Sequence, residues 1–385
     1  MSAFANYGTG VIMFGIDDDG NVVGVNNANE ECLRIENLIN DSLDPVPNYS
    51  ITINEKTGVI SLKVMEGQCK PYFCNSVAYR RANASTVPVD RAELSRLILE
   101  GENRTYEEMA SATDDLTFKV LENKMKELLN IREMSKDVLK TLDLFSDAGG
   151  YNKAAELLAD HNSCCGIDAV RFGQNISIIL DRETFDHISI LEQYDLMINM
   201  FRKYYQYEEV HGSVREKREL IPEEAFREAI ANALVHRMWD VNANITVSMF
   251  DNRIEITSPG GLVTGISIEE YLEGGLLLPR NPIICYVFLR LNLIERFGTG
   301  IRRIGEAYSE SLSKPVYNVM ENMIRITLPI VSADNEFSED EGKIMDLLNK
   351  YGNISMSSSK IAELTNMGKT KVVSILNKLV DNGYI

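Results

Sequence analysis

The chain has 385 residues, 44% hydrophobic and 25% charged, a globular composition with room for roughly two to four domains that excludes disordered, fibrous and collagen-like classes. Its 39 Lys+Arg against 57 Asp+Glu give a net charge of −18, a field that repels phosphate backbones, so any nucleic-acid contact has to be local. The longest apolar stretch, residues 282–294, is broken by Arg290 and Asn292 and falls short of the roughly 20 apolar residues of a membrane-spanning helix.

In chain order, residues 11–25 hold two β-rich runs around Asp17-Asp18-Asp19-Gly20, which predicts a hairpin. Aligned on Gly20, the acidic run has Asn26 where a calcium loop needs a glutamate. Helical spacing over 30–42, strand alternation over 49–53 and 59–64, a strand at 77–81 and a helix at 91–100 complete a first α/β domain, residues 1–103. Residues 104–150 read as a charged helical connector that ends in a turn at 147–150.

An α+β region follows over 151–332. Its predicted elements are a helix at 153–159, extended runs at 169–172 and 176–180, and a helix at 190–205. A helix at 223–237, a hairpin of 245–250 with 253–257, a glycine break after Ser258 and a Gly298-Thr299-Gly300 turn ahead of a helix complete it. Acidic residues over 334–341 mark a linker. The segment 338–385, with six lysines against six acids, is less acidic than the rest and reads as three helices at 339–350, 359–364 and 369–382.

In the helix at 223–237, Glu228 and Asn232 are four apart and share one face. They are either a solvated stripe or two polar groups able to share one ligand, with Phe226, Ile230, Ala233 and Leu234 docking the other side. Gly260 and Gly261, then Gly298, Thr299 and Gly300, can bring backbone N–H groups around phosphate. His236 reads either as a helix-end histidine satisfied by a carbonyl or as a ligand. Arg80 and Arg81 at a strand end read either as a solvated pair or as phosphate contacts. In the tail, Lys369, Thr370, Lys371, Ser374 and Lys378 line the polar face of a last helix that suits the second helix of a helix-turn-helix or a dimerisation module. Six cysteines without paired spacing and an N-terminus without a basic leader point to a cytoplasmic protein with reduced thiols.

Four stretches, 225–237 (AFREAIANALVHR), 251–262 (DNRIEITSPGGL), Arg280-Asn281-Pro282 and 293–303 (LIERFGTGIRR), resemble bacterial and archaeal transcriptional regulators with a divergent, RecG-like ATPase domain. That domain is similar to the GHKL ATP-binding sandwich of gyrase, chaperones, histidine kinases and MutL. The resemblance implies ATP or ADP with Mg²⁺ as ligand, Glu228 as the group that activates water, and Asn232 as a Mg²⁺ ligand. It implies further that Gly260-Gly261 and Gly298–Gly300 are the adenine-side and phosphate-side boxes, and that Ser258 stands where relatives carry an adenine-binding Asp.

Residues 2–6, Gly8 to Gly10, Gly15 to Gly20, Val23-Gly24-Val25, Pro71 and Tyr79-Arg80-Arg81 likewise resemble the Schlafen AlbA-type DNA-binding domain. Relatives carry a further helix and strand upstream, so the first domain is expected to be N-terminally incomplete, and the tail is expected to be a winged helix-turn-helix with an incomplete wing. Together these imply a nucleotide-binding, DNA-binding regulator whose tails act in a homo-oligomer. An Mg²⁺-dependent ATPase in nucleic-acid processing or an interaction scaffold with a dead pocket are the alternatives. No G-x-x-x-x-G-K-[ST] loop is present, which argues against a helicase motor.

Overall fold

The computed structural model describes all residues except 84, 130, 212–213, 264, 276–277, 296–297, 312, 332–338, 352–355 and 382–385. Contacts divide the chain into two units, Met1–Tyr106 and Glu107–Ile385.

The first unit runs α1 (Ser2–Tyr7), β1 (Gly10–Phe14), α2 (Ala28–Ser42), β2 (Leu43–Asp44), β3 (Tyr49–Asn54), β4 (Val59–Val64), β5 (Phe73–Cys74), β6 (Val77–Ala82), β7 (Ser85–Pro88) and α3 (Arg91–Gly101). Ile35 and Ile39, one turn apart on α2, pack with Ile60, Leu62 and Val64 of β4 in its core. The strands form two sheets, β1-β4-β3 and β2-β5-β6-β7. Every pair in them is antiparallel, so this unit is α+β in its connections and not the alternating α/β domain expected.

The hairpin expected over 11–25 is also corrected. β1 pairs with β4, and the second arm contributes only the isolated bridge Ile16 to Val22. The Asp17 carboxylate accepts the backbone N–H groups of Asp19 at 3.1 Å and Asn21 at 2.7 Å, closing the acidic run on itself before a ladder can form.

The second unit begins with α4 (Lys119–Leu129), α5 (Lys136–Thr141), β8 (Phe145–Ser146), β9 (Gly150–Tyr151) and α6 (Lys153–Leu158). Next come β10 (Ile167–Phe172), β11 (Ile179–Phe185), α7 (Ile190–Tyr205), the ribbon β12 (Gln206–His211) and β13 (Val214–Glu219), and α8 (Glu223–His236). β14 (Ile245–Met249), β15 (Arg253–Pro259), α9 (Ile268–Glu273), α10 (Pro282–Arg290), α11 (Gly300–Ala307), β16 (Val316–Val319) and β17 (Met323–Pro329) complete its main body.

One six-stranded sheet, β11-β10-β14-β15-β17-β16, organises this unit. Only β10 and β14 are parallel among its pairs. Ile245, Val247, Met249, Ile254 and Ile256 alternate inward and are buried, while Thr246, Ser248, Glu255 and Thr257 alternate outward, the pattern of a sheet with one covered face. On the covered side α7 meets α8, and Phe201 stacks on Phe226 with ring centroids 4.3 Å apart. The extended run expected at 176–180 begins instead at Ile179 and continues to Phe185, because Gly173 and Ile178 close a tight turn through a 2.8 Å backbone bond.

The acidic linker expected over 334–341 lies partly outside the described residues, and its end is already helical. α12 (Glu339–Tyr351), α13 (Ser358–Thr365) and α14 (Lys369–Asp381) enclose a small core of Ile344, Met345, Ile361, Val372, Ile375 and Leu379. The wing expected at 383–385 falls outside the described residues. Among the described residues no helix is long and apolar enough to cross a membrane.

Candidate functional site

Helix α8 starts after Pro222 with Glu223 and Glu224 in its first turn, where carboxylates favour the positive end of the helix. Its apolar residues Phe226, Ile230 and Leu234 are fully buried, which fixes the roll of the helix and turns Glu228 and Asn232 into a cleft. That cleft brings together Glu228, Asn232, Ser258, Gly260, Gly261, Gly298, Thr299 and Gly300. Ile256, Ile324 and Ile326 from the sheet, with Leu262 and Val263, give it an apolar wall.

Glu228 is 7% exposed. Burial raises its pKa, against the opposing pull of Arg303 and of a hydrogen bond with Asn232. The start of α11 sits directly beside this pair: a Cβ added at Gly300 would overlap the Glu228 carboxylate and come within 2.8 Å of Asn232 Nδ2. Only glycine lets the backbone approach so closely.

The carbonyl end of α8 is tied down by residues around the same cleft. Ser258 Oγ donates to the Ala233 carbonyl at 3.1 Å. Asn281 Nδ2 donates to the carbonyls of Val235 at 2.7 Å and Arg237 at 2.9 Å. Arg280 reaches the carbonyls of His236 at 3.2 Å and Gly261 at 2.8 Å. Helix C-termini leave their last carbonyls without intrahelical donors, and these side chains supply them. Burial and the neighbouring Arg280 push the His236 pKa down to about 4, so this cleft-lining imidazole is neutral at pH 7. Gly260, at φ 103°, carries the chain out of β15 in a conformation that side chains rarely adopt.

In the tail, Lys369, Thr370, Lys371, Ser374 and Lys378 are all exposed on α14. Two of them are engaged across the bundle, Lys371 with Asp340 and Lys378 with Glu341 at 2.6 Å, both acids belonging to α12. In the first unit, Arg80 pairs with Glu93 at 3.2 Å, and Arg81 bonds Thr86 Oγ1 at 2.8 Å and the Asn83 carbonyl at 3.3 Å. The two arginines thus brace their own unit and are not simply solvated.

Residues 1–90 match the family described as "Schlafen, AlbA_2". Residues 242–328 match the family described as "Putative ATP-dependent DNA helicase recG C-terminal". The second match contains Ser258 and both glycine boxes, while Glu228 and Asn232 lie just upstream of it. Among solved structures, the DIP2311 protein from Corynebacterium diphtheriae is similar at 20% identity, over 96% of this chain and 78% of that one, with a TM-score of 0.51, a likeness of fold. No curated protein matches.

Sequence reasoning did not single out Glu107, which is fully buried. Its carboxylate accepts the N–H groups of Ile283 and of Ile284, the latter at 3.0 Å, and so caps α10. Burial pushes its pKa up to about 7, against the pull of those two donors. The sequence signal for Arg280 and Asn281 is Pro282, which marks a helix start and puts the two preceding side chains at its edge.

The cleft suits a nucleotide with Mg²⁺ in three respects. Its wall can take a base, the Gly300 approach leaves backbone N–H groups at a helix start, and Glu228 and Asn232 are oxygen donors. Among the described residues no cluster of three or more acidic, His or Cys side chains could hold a metal alone. Phosphate oxygens and water would therefore complete the shell of a small hard cation.

Proposed function

We propose that the cleft of the second unit binds a nucleoside triphosphate or diphosphate with Mg²⁺, and that the protein is a nucleotide-binding, DNA-binding transcriptional regulator. The observation that carries this reading is the meeting of Glu228, Asn232 and the Gly300 helix start in one apolar-walled cleft. The match of residues 242–328 to a RecG-like family supports the nucleotide, and the AlbA_2 match supports a nucleic-acid partner.

In this reading Asn232 ligates Mg²⁺, the N–H groups at the start of α11 face the phosphates, and Ile256, Ile324 and Ile326 flank the base. Bound Mg²⁺ neutralises phosphate charge. Glu228, whose burial lifts its pKa above the ordinary carboxylate value, is the group placed to take a proton from water. In the tail, α13, the short link and α14 act as a helix-turn-helix that presents Lys369, Thr370 and Ser374 to DNA. With a net charge of −18, DNA affinity is weak, salt-sensitive and helped by two tails acting in a homo-oligomer.

Calorimetric titration of ATP and ADP with and without Mg²⁺, on wild type and Asn232→Ala, tests the cleft. Wild type binds, and the variant loses most of the Mg²⁺-dependent part. Absence of binding to wild type removes the nucleotide reading, and absence of any DNA shift by the intact protein at low salt removes the regulator reading. The buried Glu228 also favours a second reading, an Mg²⁺-dependent ATPase in nucleic-acid processing, for which phosphate release that disappears in Glu228→Gln is the sign.

A further inference from the structure

Glu228, Asn232 and His236 follow one another at four-residue steps on α8, so they lie along one stripe of the helix, and all three line the cleft. The start of α11 meets the first two, with Gly300 facing Glu228 and Asn232. His236 is the last residue of α8, about 12 Å further along the axis than Glu228, which leaves room for a sugar and its phosphates between them. The end of β15 closes this far end of the stripe: Ser258 Oγ donates to the Ala233 carbonyl, and the Met238 N–H donates to the Pro259 carbonyl at 2.9 Å. An α-helical carbonyl points along the axis to the level of the residue four further on, which for Ala233 is Arg237. Ser258 and His236 therefore reach the cleft at nearly the same level.

Of the two roles that the sequence leaves open for His236, a histidine satisfied by a carbonyl is not the one observed. Its ring makes no hydrogen bond with the described residues, and Arg280 reaches its backbone carbonyl instead. The neutral imidazole carries one N–H donor and one bare nitrogen. Polar groups withdrawn from water are normally paired, and the neighbouring wall of Ile256, Leu262 and Ile326 offers this ring nothing. Ser258 supplies the second polar group. A carbonyl only accepts, so the Ser258 hydroxyl proton is committed to Ala233 and the oxygen is left as an acceptor. This end of the cleft thus holds a fixed acceptor next to an imidazole able to donate. Adenine presents the complement, an amine beside a ring nitrogen that accepts, whereas guanine puts the acceptor O6 where adenine has the amine.

We propose that His236 is the residue that reads the base in this cleft, donating its imidazole N–H to a ring nitrogen of adenine while Ser258 accepts the neighbouring amine. The inference rests on the nucleotide reading and deepens it, and it is independent of whether the nucleotide is hydrolysed. A guanine in the same place sets O6 against the Ser258 oxygen, and relieving that contact means breaking the bond to Ala233. A site built to pair a polar edge rejects a ligand that leaves its own groups unpaired.

Calorimetric titration of the full chain with the Mg²⁺ complexes of ATP, GTP, 1-deaza-ATP and 7-deaza-ATP tests this. Wild type is expected to bind ATP about tenfold or more tightly than GTP, the scale of one lost hydrogen bond, and to lose a similar factor with whichever deaza analogue lacks the nitrogen that His236 reads. His236→Leu is expected to bind ATP about as weakly as that analogue and to bind ATP and the analogue alike, with GTP affinity within about twofold of wild type. His236→Gln, which keeps a donor, is expected to retain part of the preference. A His236→Leu protein of lowered Tm but unchanged preference overturns the proposal, since a merely structural histidine gives that result. The deaza comparison on wild type needs no substitution, and a wild type that binds both analogues as tightly as ATP, or GTP as tightly as ATP, overturns the proposal while the nucleotide reading stands. Absence of binding by all four ligands removes that reading and this inference with it.

Discussion

Gly300 faces the Glu228 carboxylate so closely that a Cβ added there would take the space of Oε1. Gly300→Ala is therefore expected to destabilise the protein by about 1–3 kcal/mol, the usual cost of overpacking, and to weaken nucleotide binding in the same calorimetric titration. Gly305→Ala is the control. It lies in the same helix with nothing within 4 Å of an added Cβ, and alanine there is expected to stabilise by about 0.5–1 kcal/mol.

Glu107 gives stability a dependence on pH with a definite sign. Its pKa is near 7 in the folded chain against an ordinary 4.5, so between those values the folded state binds more protons than the unfolded state. Stability from this group is then greatest at low pH and declines as pH rises from about 4.5 through 7, by about 3 kcal/mol in total. Denaturant unfolding of wild type and Glu107→Gln from pH 5 to 9 checks this: wild type loses ground to the variant as pH rises and the difference levels off above pH 8. A difference that moves the other way means that the two N–H donors outweigh burial.

Asn281 is 1% exposed and holds two carbonyls at the end of α8. Asn281→Ala leaves both without this donor, and the expected loss is about 2–3 kcal/mol, seen as a lower denaturation midpoint at unchanged m-value. Asn281→Asp, which keeps the shape but cannot donate, is expected to be at least as damaging.

The ion pairs of α14 divide its lysines by availability. Lys378 is tied to Glu341 and Lys371 to Asp340, whereas Lys369 is exposed at the first position of the helix. Lys369→Ala is expected to weaken DNA binding and reduce the slope of log K against log salt by about one, while Lys378→Ala changes it little. Glu341→Gln, by releasing Lys378, is expected to strengthen binding at low salt. Fluorescence titrations at several salt concentrations measure all three.

The legible parts of this chain were those governed by local rules. The i, i+4 spacing of Glu228 and Asn232 predicts a shared helix face, and Asp251-Asn252 between two β-rich runs predicts the β14–β15 hairpin. Where partners are distant the sequence is silent. β1 looked like one arm of a hairpin because the runs on either side of Asp17 to Gly20 are both β-rich, but the competing strand β4 lies some 50 residues further on. Ser258 was considered for its place near a base, and nothing in its neighbours announces the bond to Ala233. Spacing puts Lys371 and Lys378 on the polar face of a helix but does not announce their partners, which belong to another helix.

The bonds from Ile283 and Ile284 to Glu107 span 176 and 177 residues. They stitch the first turn after the unit boundary to a helix that borders the cleft. Residues 107–150, which resemble a connector in sequence, are folded into the same unit, with Leu121, Leu139 and Leu144 buried and Lys124 paired with Asp195 of α7. A fragment cut at residue 151, where the charged helical stretch ends, would leave α10 without its acceptor and α7 without its neighbour. The shortest recombinant piece that retains the cleft intact accordingly starts at or before Glu107, and a protease that nicks the chain between 109 and 150 would report on the integrity of a site that begins only at Glu228.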